Sequence, residues 1–431
     1  MTQFTDLGLG APLCAAVAAE GYQTPTPIQA GAIPHLLAGR DLLGIAQTGT
    51  GKTAAFALPI LERLGRPDES GQRPHPARKS TRALILTPTR ELAAQIGASF
   101  GVYGRGTGLR HFVVTGGVAF GAQINALARG IDILVATPGR LLDLAQAGHV
   151  RLDAVSIFVL DEADRMLDMG FIRDVKRIVG LVPVQRQTLL FSATMPDSVA
   201  GLAASILNKP ERVEATPPAT TVERIDQKIM FVSRDDKRRL LERLLAQEDA
   251  ARVIVFTRTK HGANRVAEQL AKRGHKADAI HGNKSQNARQ RALSDFRDGA
   301  LRALVATDIA ARGIDVDGIT HVVNFDMPVE PESYVHRIGR TARAGADGIA
   351  HSYCSPDELD QLRAIEKTIG RKVSIDADHP FHLEHLAAGY ANGQRGGAKP
   401  QAAYSQRPRP ANQGHRPKSG GRPMHRAKKA G

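Results

Sequence analysis

The sequence predicts an α/β protein with two parallel-sheet domains in tandem and a disordered, basic C-terminal tail. Three observations indicate this class: a length of 431 residues, short apolar runs that alternate with helical patterns from about residue 40 to 370, and a segment from Ala391 onward that lacks Leu, Ile, Val and Phe. A chain of this length normally forms more than one core. Buried strands that alternate with helices are typical of parallel sheets covered on both faces.

The apolar runs fall into two groups, which we interpret as the strands of two sheets. The first half contains Leu42–Ala46, Ala83–Thr87, His111–Thr115, Asp132–Ala136, Val155–Leu160 and Thr188–Phe191. The second half contains Arg252–Thr257, Lys276–Ile280, Arg302–Ala306, His321–Phe325 and Ile349–Tyr353. Between these runs, apolar residues recur at helical spacing. Three of the predicted helices carry or follow the sequence motifs described below: Thr53–Leu64, Ala163–Val179 and Ser333–Arg343.

Composition sets the domain boundaries. Lys209-Pro210 and Thr216–Thr221 have the composition of a linker and little periodicity. We therefore assign residues 1–207 to the first domain, 208–222 to a linker, 223–372 to the second domain and 373–431 to a C-terminal extension. From about residue 391 the extension cannot bury enough apolar area to fold, which predicts disorder.

The positive charge is concentrated in this tail. The chain has a net charge of +15, and residues 391–431 contain ten Lys or Arg without any Asp or Glu. Such a tail favours a polyanionic partner. A tail that only keeps the protein in solution is the alternative.

Cysteine content and the N-terminus argue against several classes of protein. Cys14 and Cys354 are the two cysteines of the sequence, too few for a disulfide framework or a zinc site. Residues 1–10 lack the basic start of a signal peptide, and no apolar run approaches the length of a membrane span. We expect a soluble protein of a reducing cytoplasm.

A phosphate-binding loop follows the first strand. Its glycines, Gly49 and Gly51, let backbone N–H groups approach phosphate oxygens at the start of a helix. Lys52 is expected to reach the β- and γ-phosphates, and the Thr53 hydroxyl to ligate Mg²⁺. Ala46 replaces the usual first glycine of this motif, and a Gly-rich turn is the alternative. The full loop is Ala46-Gln47-Thr48-Gly49-Thr50-Gly51-Lys52-Thr53.

A carboxylate pair follows the strand Val155–Leu160. We expect Asp161 to hold the magnesium through water and Glu162 to polarise the attacking water. The alternative is that these acidic residues cap the following helix.

An arginine cluster lies far away in the second half. Arg340 and Arg343, three residues apart in the predicted helix Ser333–Arg343, are expected to share one face. Phosphoryl transfer requires cations for the charge that develops on the γ-phosphate. The sequence therefore predicts a catalytic site that is split between two domains and forms when they close. A solvated basic face is the alternative.

In kind and order, these motifs resemble those of the DEAD-box family of ATP-dependent RNA helicases over about residues 4–370. Asp161-Glu162-Ala163-Asp164 is the tetrapeptide that names the family, and Gly21–Gln29 resembles its Q motif, with Phe4 as the upstream aromatic residue. The family implies two RecA-like domains, an architecture that the alternating pattern also favours. Ala342 stands where many members have Gly. This variant, with Ala163–Phe171, is similar to the bacterial RhlE-type subgroup.

The resemblance implies further roles around the nucleotide. Gln29 would read the adenine edge with its amide, Tyr22 would pack near the base, and Asp315 would contact the ribose. Ser192-Ala193-Thr194 resembles the motif that couples hydrolysis to strand separation, although it could equally cap a helix. The coupling residues implied in this way are Ser192, Thr194, Asp164 and His336.

The resemblance also implies an RNA-binding surface formed by loops in both domains. Most of these loops follow strands, where open α/β sheets bind ligands, and hydroxyls, arginines and glycines suit phosphates and sugars better than base edges. The implied residues are Pro88, Thr89, Arg90, Gly116, Gly117, Thr137, Pro138, Gly139 and Arg140 in the first domain, and Arg258, Gly282 and Thr307 in the second.

The sequence therefore favours an RNA helicase that uses ATP and Mg²⁺ to open duplexes locally, with little sequence preference. Aromatic residues make up 4% of the chain and Trp is absent, so base stacking should be limited. Two other hypotheses remain: a tail that binds or anneals RNA without ATP, and a DNA translocase. The physiological RNA, its pathway, protein partners and oligomeric state stay open.

Overall fold

The computed structural model describes residues 2–47, 49–215, 224–311, 316, 318–342 and 347–392. Three predicted site residues, Thr48, Asp315 and Arg343, lie outside the described residues. The same holds for much of the predicted linker and for the predicted disordered tail beyond residue 392. Within the described part, two seven-stranded parallel sheets confirm the predicted fold class.

The first sheet has the strand order β3-β4-β2-β5-β6-β1-β7. Six of its strands match predicted runs. The seventh, β7, lies within the predicted linker and pairs with β1 at the edge of the sheet. Three of its four residues, Glu-Arg-Val-Glu, are charged, in contrast to the continuous apolar run of a buried strand. The strands are Leu42–Ile45 (β1), Thr81–Leu86 (β2), His111–Val114 (β3), Ile131–Ala136 (β4), Ile157–Leu160 (β5), Gln187–Ser192 (β6) and Glu211–Glu214 (β7).

The second sheet has the strand order β10-β11-β9-β12-β13-β8-β14. Five strands match predicted runs. The remaining two, β8 and β14, pair with each other at one edge. After its first residue, Ile225, β8 contains the polar residues Asp226, Gln227 and Lys228, which interrupt its apolar pattern. The strands are Ile225–Phe231 (β8), Val253–Phe256 (β9), Ala277–Ile280 (β10), Ala303–Ala306 (β11), His321–Asn324 (β12), Gly348–Cys354 (β13) and Ser374–Ile375 (β14).

Helices cover both faces of each sheet, so each domain has two hydrophobic cores. In one core of the first domain, Phe56 packs against Phe191 with ring centroids 5.6 Å apart. Burial of each such side chain stabilises the fold by about 1.5–3 kcal/mol. In the first domain the helices are Ala11–Ala19 (α1), Pro27–Leu37 (α2), Lys52–Gly65 (α3), Arg90–Tyr103 (α4), Phe120–Leu127 (α5), Pro138–Gln146 (α6), Ala163–Asp168 (α7), Ile172–Val179 (α8) and Asp197–Ile206 (α9). In the second they are Lys237–Leu245 (α10), Lys260–Lys272 (α11), Gln286–Arg297 (α12), Asp308–Ala311 (α13), Pro331–Ile338 (α14), Leu359–Ile369 (α15) and Glu384–Ala391 (α16).

Two predicted helices differ from the structure. The helix predicted over Ala163–Val179 is two helices, α7 and α8, separated at Gly170, whose φ of +80° a helix cannot accommodate. The helix predicted over Ser333–Arg343 begins at Pro331 and ends at Ile338. Arg340 therefore follows the helix, and the prediction that it lies on a helical face was wrong.

The first part of the predicted C-terminal extension packs against the second domain. Leu386 and Tyr390 of α16 are buried in its core, and the Tyr390 ring lies 5.4 Å from that of Phe231. The Tyr390 hydroxyl also donates a hydrogen bond to Glu366. None of the helices in the described part of the chain combines the length and apolarity of a membrane span.

Candidate active site

Three loops meet at the centre of the first sheet. The strands β5, β6 and β1 are neighbours and run in parallel, so the loops that follow them emerge at the same edge. These loops carry the carboxylates Asp161 and Glu162, the Ser192–Thr194 segment and the phosphate loop. The topology thus brings together motifs that are more than a hundred residues apart in the sequence.

The phosphate loop is shaped by its glycines. Gly49 and Gly51 have φ angles of +87° and +91°, which strongly favour glycine. A Cβ at Gly51 would lie 2.4 Å from Nε2 of Gln29, so side chains also forbid a larger residue there. The buried ammonium of Lys52 donates a hydrogen bond to the Ala46 carbonyl at 2.8 Å. Thr50 closes the loop by donating its hydroxyl to the carbonyl of Gln47, also at 2.8 Å.

Gln29 holds the start of α2 against this loop. Its amide nitrogen donates to the Gly51 carbonyl at 3.1 Å, and its amide oxygen accepts from the Thr26 N–H at 2.9 Å. One N–H and one lone pair of the amide take no part in these two bonds, and these are the groups that the predicted contact with adenine requires. Tyr22, predicted to pack near the base, is about half exposed.

Asp161 has the features of a magnesium ligand. It is 2% exposed, and its Oδ1 atom has no hydrogen-bond partner among the described residues. Burial raises the pKa of Asp161 to about 7, although the nearby Lys52 ammonium lowers it. A divalent cation would satisfy the unpaired oxygen. Because no group of three or more His, Cys, Asp or Glu side chains in the described ranges could hold a metal, phosphate and water oxygens would have to complete the coordination.

Glu162 is held in an unusual backbone conformation. Its φ of +55° and ψ of +53° lie in the left-handed region, which costs a non-glycine residue on the order of 1–3 kcal/mol. Its carboxylate makes no capping bond to the following helix; instead it accepts a hydrogen bond from Arg165 at 2.5 Å. Burial favours a raised pKa for Glu162, but the cations Arg165 and Lys52 outweigh it and lower the pKa below its usual range. The alternative of a helix cap therefore does not describe Glu162.

Asp164 binds the loop after β6. Its Oδ2 atom accepts hydrogen bonds from the backbone N–H groups of Ala193 and Thr194, at 3.1 and 2.9 Å, and from the Thr194 hydroxyl at 3.0 Å. Ser192 in turn accepts a bond from the Asp164 N–H at 3.3 Å. The next helix begins at Asp197, so the Ser192–Thr194 segment connects two motifs rather than capping that helix.

The second domain contributes Arg340 and His336 to the same region. A cavity of about 170 Å³ is lined by Glu162, Asp164 and Thr194 from the first domain and by His336 and Arg340 from the second. Arg340 is 4% exposed, and its Nε–H donates to the His336 carbonyl at 3.1 Å. The structure therefore places Arg340 of the second domain in the same cavity as Glu162 and Asp164 of the first.

A partly buried ion pair supports the second-domain side of this cavity and was not identified from the sequence. Arg337 donates to both carboxylate oxygens of Asp308, at 2.5 and 2.7 Å, and to the side chain of Asn324 at 3.1 Å. Its guanidinium also lies 5.1 Å from the centre of the Phe256 ring. Such planar, bidentate pairing fixes α14, the helix that precedes Arg340.

A second contact between the domains was also missed. Glu91, on the first turn of α4, accepts a hydrogen bond from Gln286 at 3.2 Å and forms an ion pair with Arg289 at 2.9 Å. All three side chains are largely buried between the domains. The sequence offered a weak signal, since Glu91 directly follows the predicted RNA-binding residues Pro88, Thr89 and Arg90.

The predicted RNA-binding residues of the first domain lie beside one another. They follow β2, β3 and β4, which are adjacent in the sheet. Arg90 packs on the Gly116-Gly117 turn so closely that a Cβ on Gly117 would lie 2.1 Å from its Nη1 atom. Thr89 caps α4 by accepting from the Leu92 N–H. The start of α6 is formed by Thr137, Pro138, Gly139 and Arg140. The Arg140 guanidinium donates a hydrogen bond to the Val118 carbonyl at 3.0 Å.

The predicted second-domain residues follow three adjacent strands in the same way. Arg258, Gly282 and Thr307 come after β9, β10 and β11. The Arg258 guanidinium, about a third exposed, pairs with the buried carboxylate of Glu358 at 2.8 Å. A Cβ on Gly282 would meet no atom within 4 Å, so packing within the protein does not require glycine at this position.

Family comparisons agree with this architecture. Residues 26–202 match the DEAD/DEAH box helicase family and residues 236–345 match the helicase conserved C-terminal domain. The chain is 45% identical over 373 residues to the DEAD-box ATP-dependent RNA helicase CshA of Geobacillus kaustophilus, covering 86% of this chain and 78% of that protein. It is 46% identical over 388 residues to the ATP-dependent RNA helicase RhlB of Pseudomonas syringae pv. tomato, covering 89% of this chain and 96% of that protein. Because these relatives bear the names CshA and RhlB, the RhlE-type assignment stays a prediction.

Two solved structures superpose on most of the chain. S. cerevisiae Dbp5 bound to RNA and ADP BeF3 is 31% identical and superposes with a TM-score of 0.78, covering 92% of this chain and all of that one. Mss116p bound to ssRNA and AMP-PNP is 28% identical with a TM-score of 0.76, covering 91% of this chain and 82% of that one.

Proposed function

The chain belongs to the DEAD-box family of ATP-dependent RNA helicases, and from that premise we propose that RNA stimulates ATP hydrolysis at the cleft between its two domains. The observation that carries this proposal is the burial of Arg340, from the second domain, in the cavity that also contains Glu162 of the first. A site assembled from two domains is complete only when they close. A ligand that binds across both domains favours that closed state; RNA is the ligand proposed here, and the Dbp5 and Mss116p structures contain RNA together with a nucleotide analogue.

Each residue around the triphosphate has a defined chemical task in this proposal. The phosphate loop, Thr48 to Thr53, surrounds the phosphates with N–H groups, and Lys52 neutralises the β- and γ-phosphates. Thr53 and Asp161 are the residues that would hold Mg²⁺, which supplies positive charge to the phosphate oxygens. Glu162 orients the attacking water and accepts its proton, while Arg340 and Arg343 stabilise the charge that develops on the γ-phosphate.

The base and the ribose complete nucleotide recognition. Gln29 has one N–H and one lone pair that the two bonds described above do not use, which suits the edge of adenine. Tyr22 would pack against the base, and Asp315 would bind the ribose hydroxyls.

RNA would bind along the strand ends of both domains. The loops that carry Arg90, Gly117 and Arg140 are neighbours in the first sheet, and those of Arg258, Gly282 and Thr307 are neighbours in the second. Arginines, hydroxyls and glycine N–H groups read the backbone rather than base edges, so little sequence preference is expected. Closure of the domains would then bend one strand into a shape that a duplex cannot follow.

The coupling between the two ligands passes through the cleft. Asp164 joins the strand-end carboxylates to Ser192 and Thr194, and this cluster shares a cavity with His336 of the second domain. ATP and RNA each favour the closed arrangement, so each should raise the affinity for the other by the same factor.

The basic tail is proposed to tether RNA. Its ten uncompensated charges would bind phosphates with release of counterions, so the affinity should decrease steeply as salt increases. Truncation after Asn392 removes the tail but retains α16 and its buried Tyr390. An unchanged salt dependence of RNA binding after this truncation would rule the tether out.

The decisive experiment measures ATP hydrolysis with and without single-stranded RNA, in the wild type and in Glu162→Gln. We expect strong stimulation by RNA, and loss of roughly two or more orders of magnitude in the variant. Asp153→Asn, the same chemical change at an exposed carboxylate, serves as the control. A rate that is indifferent to RNA would refute the split-site function. Stimulation by DNA as strong as by RNA would favour a DNA translocase instead.

A further inference from the structure

The side chain of Arg165 lies between Glu162 and the second domain. It is 4% exposed and donates to the Glu162 carboxylate at 2.5 Å. It also lines the cavity that contains Arg340, and a second, nearly filled cavity whose other walls include Phe256 and Asp308 of the second domain. Residues of the second domain therefore lie next to Arg165 in both cavities.

The pair is held at the very start of α7. Glu162 is the residue that precedes this helix, and Arg165 is three positions later, on the same face. The backbone N–H of Arg165 donates to Asp164 Oδ1 at 2.9 Å, which fixes the turn between them. The hydrogen bond from Arg165 is thus one contact that holds this carboxylate, whose own backbone is strained.

Burial by the second domain should make this hydrogen bond hold the Glu162 carboxylate in a more fixed orientation. An ion pair in water is weak and mobile, because solvent competes for both partners. When the pair is desolvated and its geometry is retained, the charge-assisted bond becomes short and directional. Domain closure supplies that desolvation here, since residues of the second domain form the opposite walls of both cavities.

We propose that Arg165 is a positioning residue that orients Glu162 toward the attacking water, and that it does so fully only when the second domain has closed over it. This inference rests on the proposed role of Glu162 in hydrolysis. Domain closure driven by RNA would then promote hydrolysis in two ways: it brings Arg340 into the site, and it fixes Glu162 through Arg165. In this proposal Arg165 acts through Glu162 and not through a contact of its own with ATP or RNA.

The test compares Arg165→Met and Arg165→Lys with Arg177→Met. Arg177 forms the same type of pair, three residues after Asp174, but at 3.8 Å and with its side chain 55% exposed. We expect Arg165→Met to lower the RNA-stimulated kcat at least about tenfold while KM for ATP and the half-saturating RNA concentration stay within about threefold. Lys retains the positive charge but lacks the planar guanidinium group, so Arg165→Lys should retain more of the wild-type kcat than Arg165→Met. Arg177→Met should behave as the wild type.

A double-mutant cycle separates positioning from a purely structural role. If Arg165 acts through Glu162, Arg165→Met should cause no further loss of kcat in the Glu162→Gln background. Additive losses, or parallel losses of kcat, ATP affinity and thermal stability, would overturn the inference. An increase of the RNA-free rate in Arg165→Met would also overturn it, because Arg165 would then restrain Glu162.

The same variants distinguish a failure of the Arg165 inference from a failure of the proposed function. If Glu162→Gln abolishes RNA-stimulated hydrolysis but both Arg165 variants match the wild type, the inference fails and the proposed function stands. If Glu162→Gln retains full activity, the proposed function itself fails.

Discussion

Glu91 in the first domain accepts a hydrogen bond from Gln286 in the second, 195 positions further along the chain. The second carboxylate oxygen of Glu91 pairs with Arg289 at 2.9 Å. The three side chains belong to α4 and α12, so the contact exists only while the two domains are closed. It therefore stabilises the closed state in which both ligands are proposed to bind.

Glu91→Ala should weaken RNA binding in the presence of a non-hydrolysable ATP analogue. Loss of Glu91 leaves the Arg289 guanidinium buried without its partner in the closed state, and we expect the RNA affinity to decrease by about 10–100-fold. ATP binding without RNA should change little. Fluorescence anisotropy of labelled single-stranded RNA measures the effect.

The size of the effect should depend on charge. Gln286→Ala removes a neutral partner and should cost about 1 kcal/mol, roughly fivefold in RNA affinity. Glu242→Ala breaks an ion pair with Arg238 within α10, away from the cleft, and serves as the control. Equal RNA affinities for Glu91→Ala and this control would show that the contact does not stabilise the closed state.

Asp164→Ala should release the loop that follows β6. Two backbone N–H groups and the Thr194 hydroxyl donate to the Asp164 carboxylate, and hydrogen bonds to a charged acceptor contribute about 1.5–3 kcal/mol each. Hydrogen exchange of the Ala193 and Thr194 amides should accelerate by at least about tenfold. Thr194→Ala removes one of the three bonds and should have a smaller effect.

The functional consequence of releasing this loop should appear in unwinding. The loop lies between the carboxylates and His336, so its release should lower duplex unwinding about tenfold while ATP affinity stays within about threefold. Asp197→Ala, an exposed residue at the start of α9, provides the control. Unchanged amide exchange in Asp164→Ala would contradict the role assigned to this carboxylate.

The sequence predicted the parts of this protein that local patterns encode. Continuous apolar runs identified the central strands, and the parallel topology then required the loops after β1, β5 and β6 to converge. The strands β7 and β8 were not predicted, because charged residues interrupt the apolar pattern in each of them. Local spacing also failed at Arg340, because helical periodicity alone did not locate the end of α14 at Ile338, where Gly339 forms the C-cap.

Contacts between distant elements could not be predicted in this way. The partners of Glu91 stand about 195 positions away, and Asp308 lies 29 positions from Arg337. Periodicity and propensity report a residue's own helix or strand and contain no information about such partners. The Arg165–Glu162 pair has the spacing of one helical turn, but its coverage by the second domain depends on the tertiary structure.

His351 should make the stability of the second domain depend on pH. The ring is buried in β13, and burial lowers its pKa to about 4, with His321 and Lys228 lowering it and Asp376 and Asp226 raising it. In the unfolded chain the pKa is about 6.5. The unfolded state therefore binds more protons between pH 6.5 and 4. The stabilisation is fully present above pH 6.5 and is lost as the pH falls through this range.

Thermal unfolding at pH 7.5 and 5.0 measures this dependence. The His351 contribution to the free energy of unfolding should decrease by about 2 kcal/mol between these values. His351→Phe removes the titrating group but retains a ring against His321, so its loss should be smaller than that of the wild type. His75→Gln, at an exposed site, should follow the wild type. Parallel pH profiles for all three proteins would contradict the assignment.

Ala342 should tolerate glycine but not a branched side chain. Its φ of +54° lies in the left-handed region, which costs an alanine about 1–2 kcal/mol. Replacement by glycine relieves this strain. It also loses a buried methyl group, worth about 0.8 kcal/mol, and adds about 0.4–1 kcal/mol of unfolded-state entropy. The opposing terms nearly cancel, which explains how alanine can stand where many family members have glycine.

Calorimetry of three variants tests this balance. Ala342→Gly should change the free energy of unfolding by no more than about 1 kcal/mol, or about 2–4 °C in Tm. Ala364→Gly, inside α15, should lose about 1 kcal/mol because no strain is relieved there. Ala342→Val should destabilise the second domain by about 2 kcal/mol or more, since a β-branched residue is strongly disfavoured at positive φ. If valine were as stable as alanine, the backbone at position 342 could not be left-handed in solution.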